Sequence, residues 1–321
     1  MEQLNFKGIK LLVVGDVMVD RYLEGRVSGQ SPEADVPIFR KRSVSIYPGG
    51  AANVAANISN LGAQSYLIGT VGNDVIGHQL KDLINGDSSI HNRIITLNDR
   101  ITTVKTRIIS DKIHLARIDE ENDEPLSSNQ EEMVINHITE CIEAINPDGL
   151  IFQDYNKGIL THNTIIHTIE TCKEKNIATF VDPKFDNLMS YRGVTLFKPN
   201  KRELEFLLQD KVSIYELQNT DVLRRLKDRL DCRYLVVTLG GSGIIYVDDH
   251  NLQHIQGVDR NVIDVCGAGD TVIASLASAI CAGFSIHKSS FIANLAGGLV
   301  CEESGVQPIK LHHLEKEIQK F

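Results

Sequence analysis

No stretch of this chain reaches the roughly 18 consecutive apolar residues that a membrane-spanning helix needs. Met1 to Lys10 has no long apolar region, and Leu11 to Val14 is a strand-sized run, so no secretory leader is expected. The six cysteines, at 141, 172, 232, 266, 281 and 301, never fall into a Cys-x-x-Cys pair. They are expected to be reduced, mostly buried thiols of a cytoplasmic protein, which argues against a cysteine-held metal. Basic residues are in the minority: 33 Lys and Arg stand against 42 Asp and Glu, for a net charge of −9. So acidic a balance argues against general binding to nucleic acid or an anionic membrane, but allows a local basic pocket for a phosphorylated substrate. Several motifs are missing too. There is no Gly-x-x-x-x-Gly-Lys-Ser/Thr loop, no His-Arg-Asp and no Asp-Phe-Gly. No Gly-x-Gly-x-x-Gly follows the first strand, which weakens a dinucleotide-dependent oxidoreductase. Internal repeats, low-complexity tracts and flexible linkers are likewise lacking.

What is present is an ordinary globular composition, 42% hydrophobic and 23% charged. The uninterrupted apolar run Ile9–Val14 predicts a strand covered on both faces, as in a parallel sheet. Short alternating pieces around Val36, Ile38, Val44 and Ile46 predict an antiparallel flap with one solvated face. A second such hairpin is expected over 103–118. Gly49-Gly50-Ala-Ala-Asn53 opens a small-residue helix, and 65–71 reads as a further strand. From Gln130 onward helices alternate with strands at 149–153, 178–182, 195–198, 234–239 and 243–247. That alternation predicts one α/β domain over residues 1–321, a mostly parallel sheet flanked by helices, with a β lid inserted at about 17–48 and 103–118. In such sheets the site lies beyond the carboxyl ends of the strands. Those ends carry Asp16, Gln153-Asp154, Asp182, Lys198-Pro-Asn200 and Thr238-Leu-Gly240.

The sharpest motif is Gly267-Ala268-Gly269-Asp270, leading into a helix of small residues. A Gly-rich turn at a helix N-terminus exposes backbone N–H groups to an anion, and a carboxylate just after it can take a proton from an attacking hydroxyl. Alone, the same residues would also suit an ordinary helix start capped by Asp. Thr238-Leu-Gly240-Gly-Ser-Gly243 could let backbone approach a polyphosphate or could be a tight hairpin. Asn200 and Glu203 stand one helical turn apart, able to serve Mg²⁺ as hard oxygen donors or to form a capping box.

Taken in order, Gly15-Asp16 with Asp20, Gly49-Gly50-Ala-Ala-Asn53, Asn200-x-x-Glu203, Thr238-x-Gly240-x-x-Gly243 and Gly267-Ala-Gly-Asp270 resemble the ribokinase/PfkB family from about Ile9 to Gly305. Within it, Gly15–Tyr22, Ser31–Pro37, Asp154-Tyr-Asn-Lys-Gly158, Val181–Lys184 and Asp270–Ala274 look like the D-glycero-β-D-manno-heptose 7-phosphate kinases, the kinase half of ADP-heptose synthase proteins. The resemblance implies a Rossmann-like core, a β lid that often mediates dimerisation, and ATP with Mg²⁺. It implies phosphorylation of the anomeric hydroxyl of the heptose 7-phosphate, for ADP-heptose and the lipopolysaccharide core. Asp270 would be the base and Gly267, Ala268 and Gly269 the anion hole. Asp16, Asp20, Gly49, Gly50 and Asn53 would hold sugar hydroxyls. Lys198, Asn200, Thr238, Gly240, Gly243 and Asn294 would line the nucleotide site, with Glu203 organising Mg²⁺ and Asp264 contributing to a monovalent-cation (K⁺) site.

A sugar that already bears a phosphate needs cations away from the transfer site, and Arg107, Arg117, Lys157 and Lys184 are the candidates. Taken singly, each reads more readily as a solvated surface charge, and placement in the heptose-kinase-like segments favours Lys157 and Lys184 most. The pattern departs from the family at Cys266, where Thr or Ser is common, at Asp35, where the heptose kinases usually have Pro, and at Phe185, where Gly is frequent. No His-x-Gly-His nucleotidyltransferase motif occurs, so kinase activity with a separate adenylyltransferase is expected. The competing expectations are a PfkB kinase of another sugar or nucleoside, a catalytically silent sugar or nucleotide sensor, and a Rossmann-like oxidoreductase.

Overall fold

The structure, a computed structural model, describes residues 4–111 and 113–321. Residues 1–3 and residue 112, which falls within the second expected hairpin, lie outside the described residues. The first half comprises β1 (Lys10–Gly15), β2 (Val17–Gln30), β3 (Pro37–Gly50), α1 (Ala51–Asn60), β4 (Gln64–Ile68) and β5 (Thr70–Gly72). It continues through α2 (Val75–Asn85), β6 (Ile90–Asn92), β7 (Ile95–Leu97), β8 (Val104–Ser110) and β9 (Ile113–Glu120). Then come α3 (Ser128–Ile145), β10 (Gly149–Gln153), α4 (His162–Glu174), β11 (Ala178–Asp182), β12 (Leu196–Phe197) and α5 (Lys201–Leu208). Next are α6 (Ile214–Asn219), α7 (Val222–Leu230), β13 (Tyr234–Thr238), β14 (Ile244–Val247) and β15 (Leu252–Ile255). Three helices close the chain: α8 (Ala268–Cys281), α9 (Ile286–Val300) and α10 (Leu311–Ile318).

Nine strands form the main sheet in the order β15-β14-β13-β12-β11-β10-β1-β4-β6. Pairing is parallel from β6 to β13 and antiparallel only at the β13–β14–β15 edge. The expected two-sided burial of the first strand has a direct cause. Leu11 and Val13 join the apolar layer of α1, α8 and α9, while Leu12 and Val14 join that of α3 and α4. Alternate residues point to opposite faces, so a strand covered on both sides must be apolar throughout.

A separate four-stranded sheet, ordered β3-β2-β8-β9, joins the two expected hairpins through parallel pairing of β2 with β8. Its first strand, β2, begins at Val17, immediately past Asp16. The continuous strand expected over 65–71 is split at Gly69: β4 stays in the main sheet, while β5 pairs with β7 in a two-stranded sheet. Only glycine fits at that exit, since a Cβ there would lie 2.6 Å from the Val17 side chain. Along the main sheet the chain runs one way from β1 to β4 and β6, and the other way from β10 to β13. The order therefore reverses between β1 and β10, which opens a crevice at their carboxyl ends.

Candidate active site

Asp16 follows β1, Gln153 ends β10, Asp182 ends β11 and Lys198 follows β12, so the parallel strands deliver these residues to one edge. Opposite them, α8 begins at the Gly-Ala-Gly turn and places Asp270 in its first turn, where the positive end of the helix dipole favours an anion. Gly267 adopts φ +81°, and a Cβ there would lie 2.8 Å from the Asn53 amide. At Gly269 a Cβ would stand in ordinary contact with the Asp182–Lys198 pair, at 3.6 and 3.9 Å.

Asp270 is gripped by three side chains. Asn53 Nδ2 donates to Oδ2 at 2.7 Å, while Gln153 Nε2 and the Tyr155 hydroxyl donate to Oδ1 at 2.9 and 2.8 Å. Asn53 is itself fixed by α1: Asn57 Nδ2 donates to its Oδ1, and Asn57 Oδ1 accepts from the Thr271 hydroxyl on α8. Burial pushes the Asp270 carboxyl up to about 7; hydrogen bonds from Asn53 and Tyr155 oppose the rise and the charges of Asp182 and Asp20 add to it. A base poised near neutrality both accepts and returns a proton efficiently.

The neighbouring acids are held as tightly. Asp16 Oδ2 accepts from the backbone N–H groups of Tyr155 and Lys157 at 2.8 and 3.1 Å. Burial, then the charge of Asp154, lifts Asp16 to about 7 as well. Asp20 pairs with Arg107, whose guanidinium also lies 5.2 Å from the centre of the Tyr22 ring. Burial raises the Asp20 carboxyl, with Arg107 opposing. Gly49 and Gly50 make room for these acids, since a Cβ would stand 2.1 Å from Asp20 Oδ2 at the first and 2.4 Å from the Asp16 carbonyl at the second.

The nucleotide-side candidates gather along the β12–β14 edge. Lys198, 2% exposed, bonds Asp182 at 2.8 Å. Asn200 bridges to Thr238, while Gly240 and Gly243 form the turn between β13 and β14 at φ +59° and +95°. That turn is also the tight hairpin the sequence allowed. Asn294, on α9, donates to the Gln256 carbonyl in the segment packed over Gly241 and Gly243. The local capping alternative holds at Asn200 and Glu203: Asn200 Oδ1 caps α5, and Glu203 Oε2 accepts the Asn200 N–H at 2.8 Å. The other Glu203 oxygen takes Lys184 Nζ at 2.8 Å.

The four candidate anchor cations do not converge. Arg107 faces Asp20, Lys184 faces Glu203, Lys157 meets Glu121 at 2.8 Å, and Arg117, 60% exposed, is held by Asp119. Arg107 and Arg117 share an open cavity of about 580 Å³ with His114, Asp264 and Cys266. Asp264 ties two loops together, accepting from the backbone N–H groups of Cys266 at 3.0 Å and Gly305 at 3.2 Å. Burial pushes the Cys266 thiol up to about 11, which keeps it protonated and unreactive.

Sequence reading did not assign roles to Gln153, Tyr155 or Asp182, although it noted Gln153 and Asp182 among the strand-end polar residues. The available signal was position: all three end or follow a buried parallel strand. A carboxylate at the head of α8, beside a bare Gly-Ala-Gly turn and near two buried acids, suits transfer of a phosphoryl group to a hydroxyl.

A model of the pfkB family of carbohydrate kinases matches residues 9–313. The chain belongs to that family. Membership in a family of carbohydrate kinases implies ATP and Mg²⁺ as cofactors. It is 35% identical over 309 residues to the "Bifunctional protein HldE" of Hyphomonas neptunium, covering 96% of this chain. It is 36% identical over 316 residues to the protein of the same name from Pseudomonas fluorescens, covering 98% of this chain. This kinase spans 63% and 65% of those relatives' own lengths. Its fold is similar to Escherichia coli phosphofructokinase-2 in complex with substrates and products, with TM-score 0.78, 17% identity, and 96% and 97% of the two chains covered. It is also similar to Arabidopsis thaliana ribokinase complexed with ribose and ATP, with TM-score 0.74, 18% identity, and 96% and 99% covered. Among the described residues, no helix is long and apolar enough to cross a membrane.

The Asp270 environment sets a pH dependence for this kinase. A base must be deprotonated to work, so kcat/KM should fall about tenfold per pH unit below about 7 and level off above it. A rate profile flat between pH 5 and 8 would show that another group takes the proton.

Proposed function

We propose that this kinase transfers the γ-phosphoryl group of ATP to the anomeric C1 hydroxyl of D-glycero-D-manno-heptose 7-phosphate, giving the 1,7-bisphosphate. The observation that carries the reading is the threefold clamp on Asp270 beside the Gly267–Gly269 turn and opposite Asp16. Identity of about 35% to the bifunctional HldE relatives supports the choice of sugar, together with the cations around the small sheet.

Asp270 Oδ1 already accepts two hydrogen bonds and Oδ2 one, which leaves Oδ2 as the atom that takes the acceptor proton. Asp16 and Asp20 would grip sugar hydroxyls, their burial keeping competing water out. The N–H groups of the Gly-Ala-Gly turn would meet the charge that grows on the moving phosphoryl group. Lys198 and Thr238 to Gly243 would lie along the triphosphate, and Asn294 would reach the nucleotide from α9.

The donor set fits Mg²⁺ held chiefly by nucleotide phosphates and water. Glu203 and Asp182 offer hard oxygens, and among the described residues no group of three or more His, Cys, Asp or Glu could cage an ion. Bound Mg²⁺ would neutralise phosphate charge, and Glu203, fully buried with Lys184 on one oxygen and the Asn200 N–H on the other, would have to release Lys184 to orient one of its waters. Asp264 would contribute to a K⁺ site beside the turn.

The four-stranded sheet would act as a lid over the sugar and as the contact in a homodimer. Val27, Val36, Ile38 and Val44 are exposed apolar residues along it, of the kind a second copy would cover. A separate adenylyltransferase would act later in the same pathway, on a heptose that keeps only its C1 phosphate, and the cytoplasm would be the compartment.

The test is ADP release with ATP-Mg²⁺ against a panel of sugars and sugar phosphates. Selective turnover of the heptose phosphate is expected. Turnover of unphosphorylated sugars alone would keep the kinase and discard this acceptor.

A further inference from the structure

Long cationic side chains normally reach outward to water, and a surface ion pair contributes little. Lys105 and Lys157 behave otherwise. Their side chains are only 14% and 15% exposed, and both close on one carboxylate. Lys157 Nζ meets Glu121 Oε1 at 2.8 Å, and Lys105 Nζ meets Oε2 at 3.0 Å. One carboxylate spread between two ammonium groups has the charge and shape of a small oxyanion in a receptor. Burial would raise the Glu121 carboxyl, but hydrogen bonds from Lys157 and Lys105 outweigh it and hold it below the usual range.

The location is tied to the sugar-holding acids. Lys105 lies opposite Asp20 in the β2–β8 register, and Arg107, two residues along the same face, holds Asp20 itself. Lys157 donates its backbone N–H to Asp16 Oδ2. Its carbonyl accepts from Arg100, which also bonds the carbonyls of Asn122 and Glu124, so the Lys157 loop and the segment after β9 are pinned together. By contrast Lys184 is committed to the fully buried Glu203, and Arg117 is mostly solvated.

We propose that Lys105 and Lys157 form a subsite for a phosphate carried by the acceptor sugar, and that Glu121 fills it as a displaceable internal anion. This rests on the reading that the acceptor is a phosphorylated sugar. A phosphate near neutral pH carries about −1.5 to −2 charge and more acceptor oxygens than a carboxylate, so it can displace Glu121. Lys105 also bonds Asp119 at 3.3 Å, a contact that does not depend on Glu121. The exchange also imposes selectivity, because a sugar without a phosphate cannot replace the anion it would need to expel.

The experiment titrates inorganic phosphate into the full chain by calorimetry, with a non-hydrolysable ATP analogue filling the nucleotide site. Glu121→Gln should bind phosphate about tenfold more tightly than the unaltered chain, and Lys105→Ala with Lys157→Ala should bind it at least about tenfold more weakly. In kinetics, Lys105→Ala should raise KM for a phosphorylated acceptor by about tenfold, with kcat changed less than about threefold. Lys105→Gln repeats the measurement with a smaller packing change if the alanine variant unfolds. Phosphate affinity unmoved by Glu121→Gln and by the lysine substitutions would overturn the subsite. Loss of heptose phosphate turnover from the panel, with the phosphate titration still behaving as described, would overturn the acceptor assignment and leave the subsite standing.

Discussion

Asp270→Asn should slow turnover by about a hundredfold or more while ATP binding stays within about twofold. The substitution keeps the shape of the side chain, and its carbonyl oxygen can still accept from Gln153 and Tyr155. The amide nitrogen, however, would face Asn53 Nδ2, donor against donor, and it has no basic lone pair for the acceptor proton. The loss should therefore fall on kcat. The nucleotide candidates lie along β12 to β14 and on α9 and do not bond Asp270, so their affinity should hold. ATP affinity measured by equilibrium titration and single-turnover rates separate the two quantities. Equal losses in both would mean that Asp270 supports the nucleotide site rather than the proton transfer.

Asp182→Ala should lower the stability of the chain by about 3 kcal/mol or more. Lys198 is almost wholly buried, and Asp182 is its partner at 2.8 Å. Removing the carboxylate leaves a buried ammonium unpaired, and that costs far more than the pair itself contributes. Urea unfolding followed by circular dichroism gives the number. A loss below about 1 kcal/mol would show that water or another acid takes over Lys198. Under saturating ATP the deficit should shrink, because a bound triphosphate would supply the missing negative charge.

The tight pairing of acids and cations around the site explains why its residue types were easier to read than their partners. Lys184 and Glu203 were read separately, one as a sugar-phosphate anchor and the other as an Mg²⁺ organiser, yet they bond each other. The capping alternative at Asn200 and Glu203 was visible because it is local, depending only on residues three apart in one helix. The Lys184 contact joins residues 19 apart, one just past β11 and the other in the first turn of α5, and no spacing rule encodes it.

The sequence by itself determined the α/β architecture, the two hairpins and the motifs around Asp270, Asn53, Asn200 and Thr238. Those features rest on short-range regularities: apolar runs where a strand is covered twice, alternation where one face is wet, and glycine where backbone must come close. Only the tertiary structure decided that Gln153 and Tyr155 hold Asp270, that β2 joins β8 in parallel, and that the chain breaks at Gly69 between two sheets. Each of these brings together residues far apart in the chain, and their proximity follows from how the strands are ordered in the sheet. That order is set by the packing of whole layers, which no local pattern records.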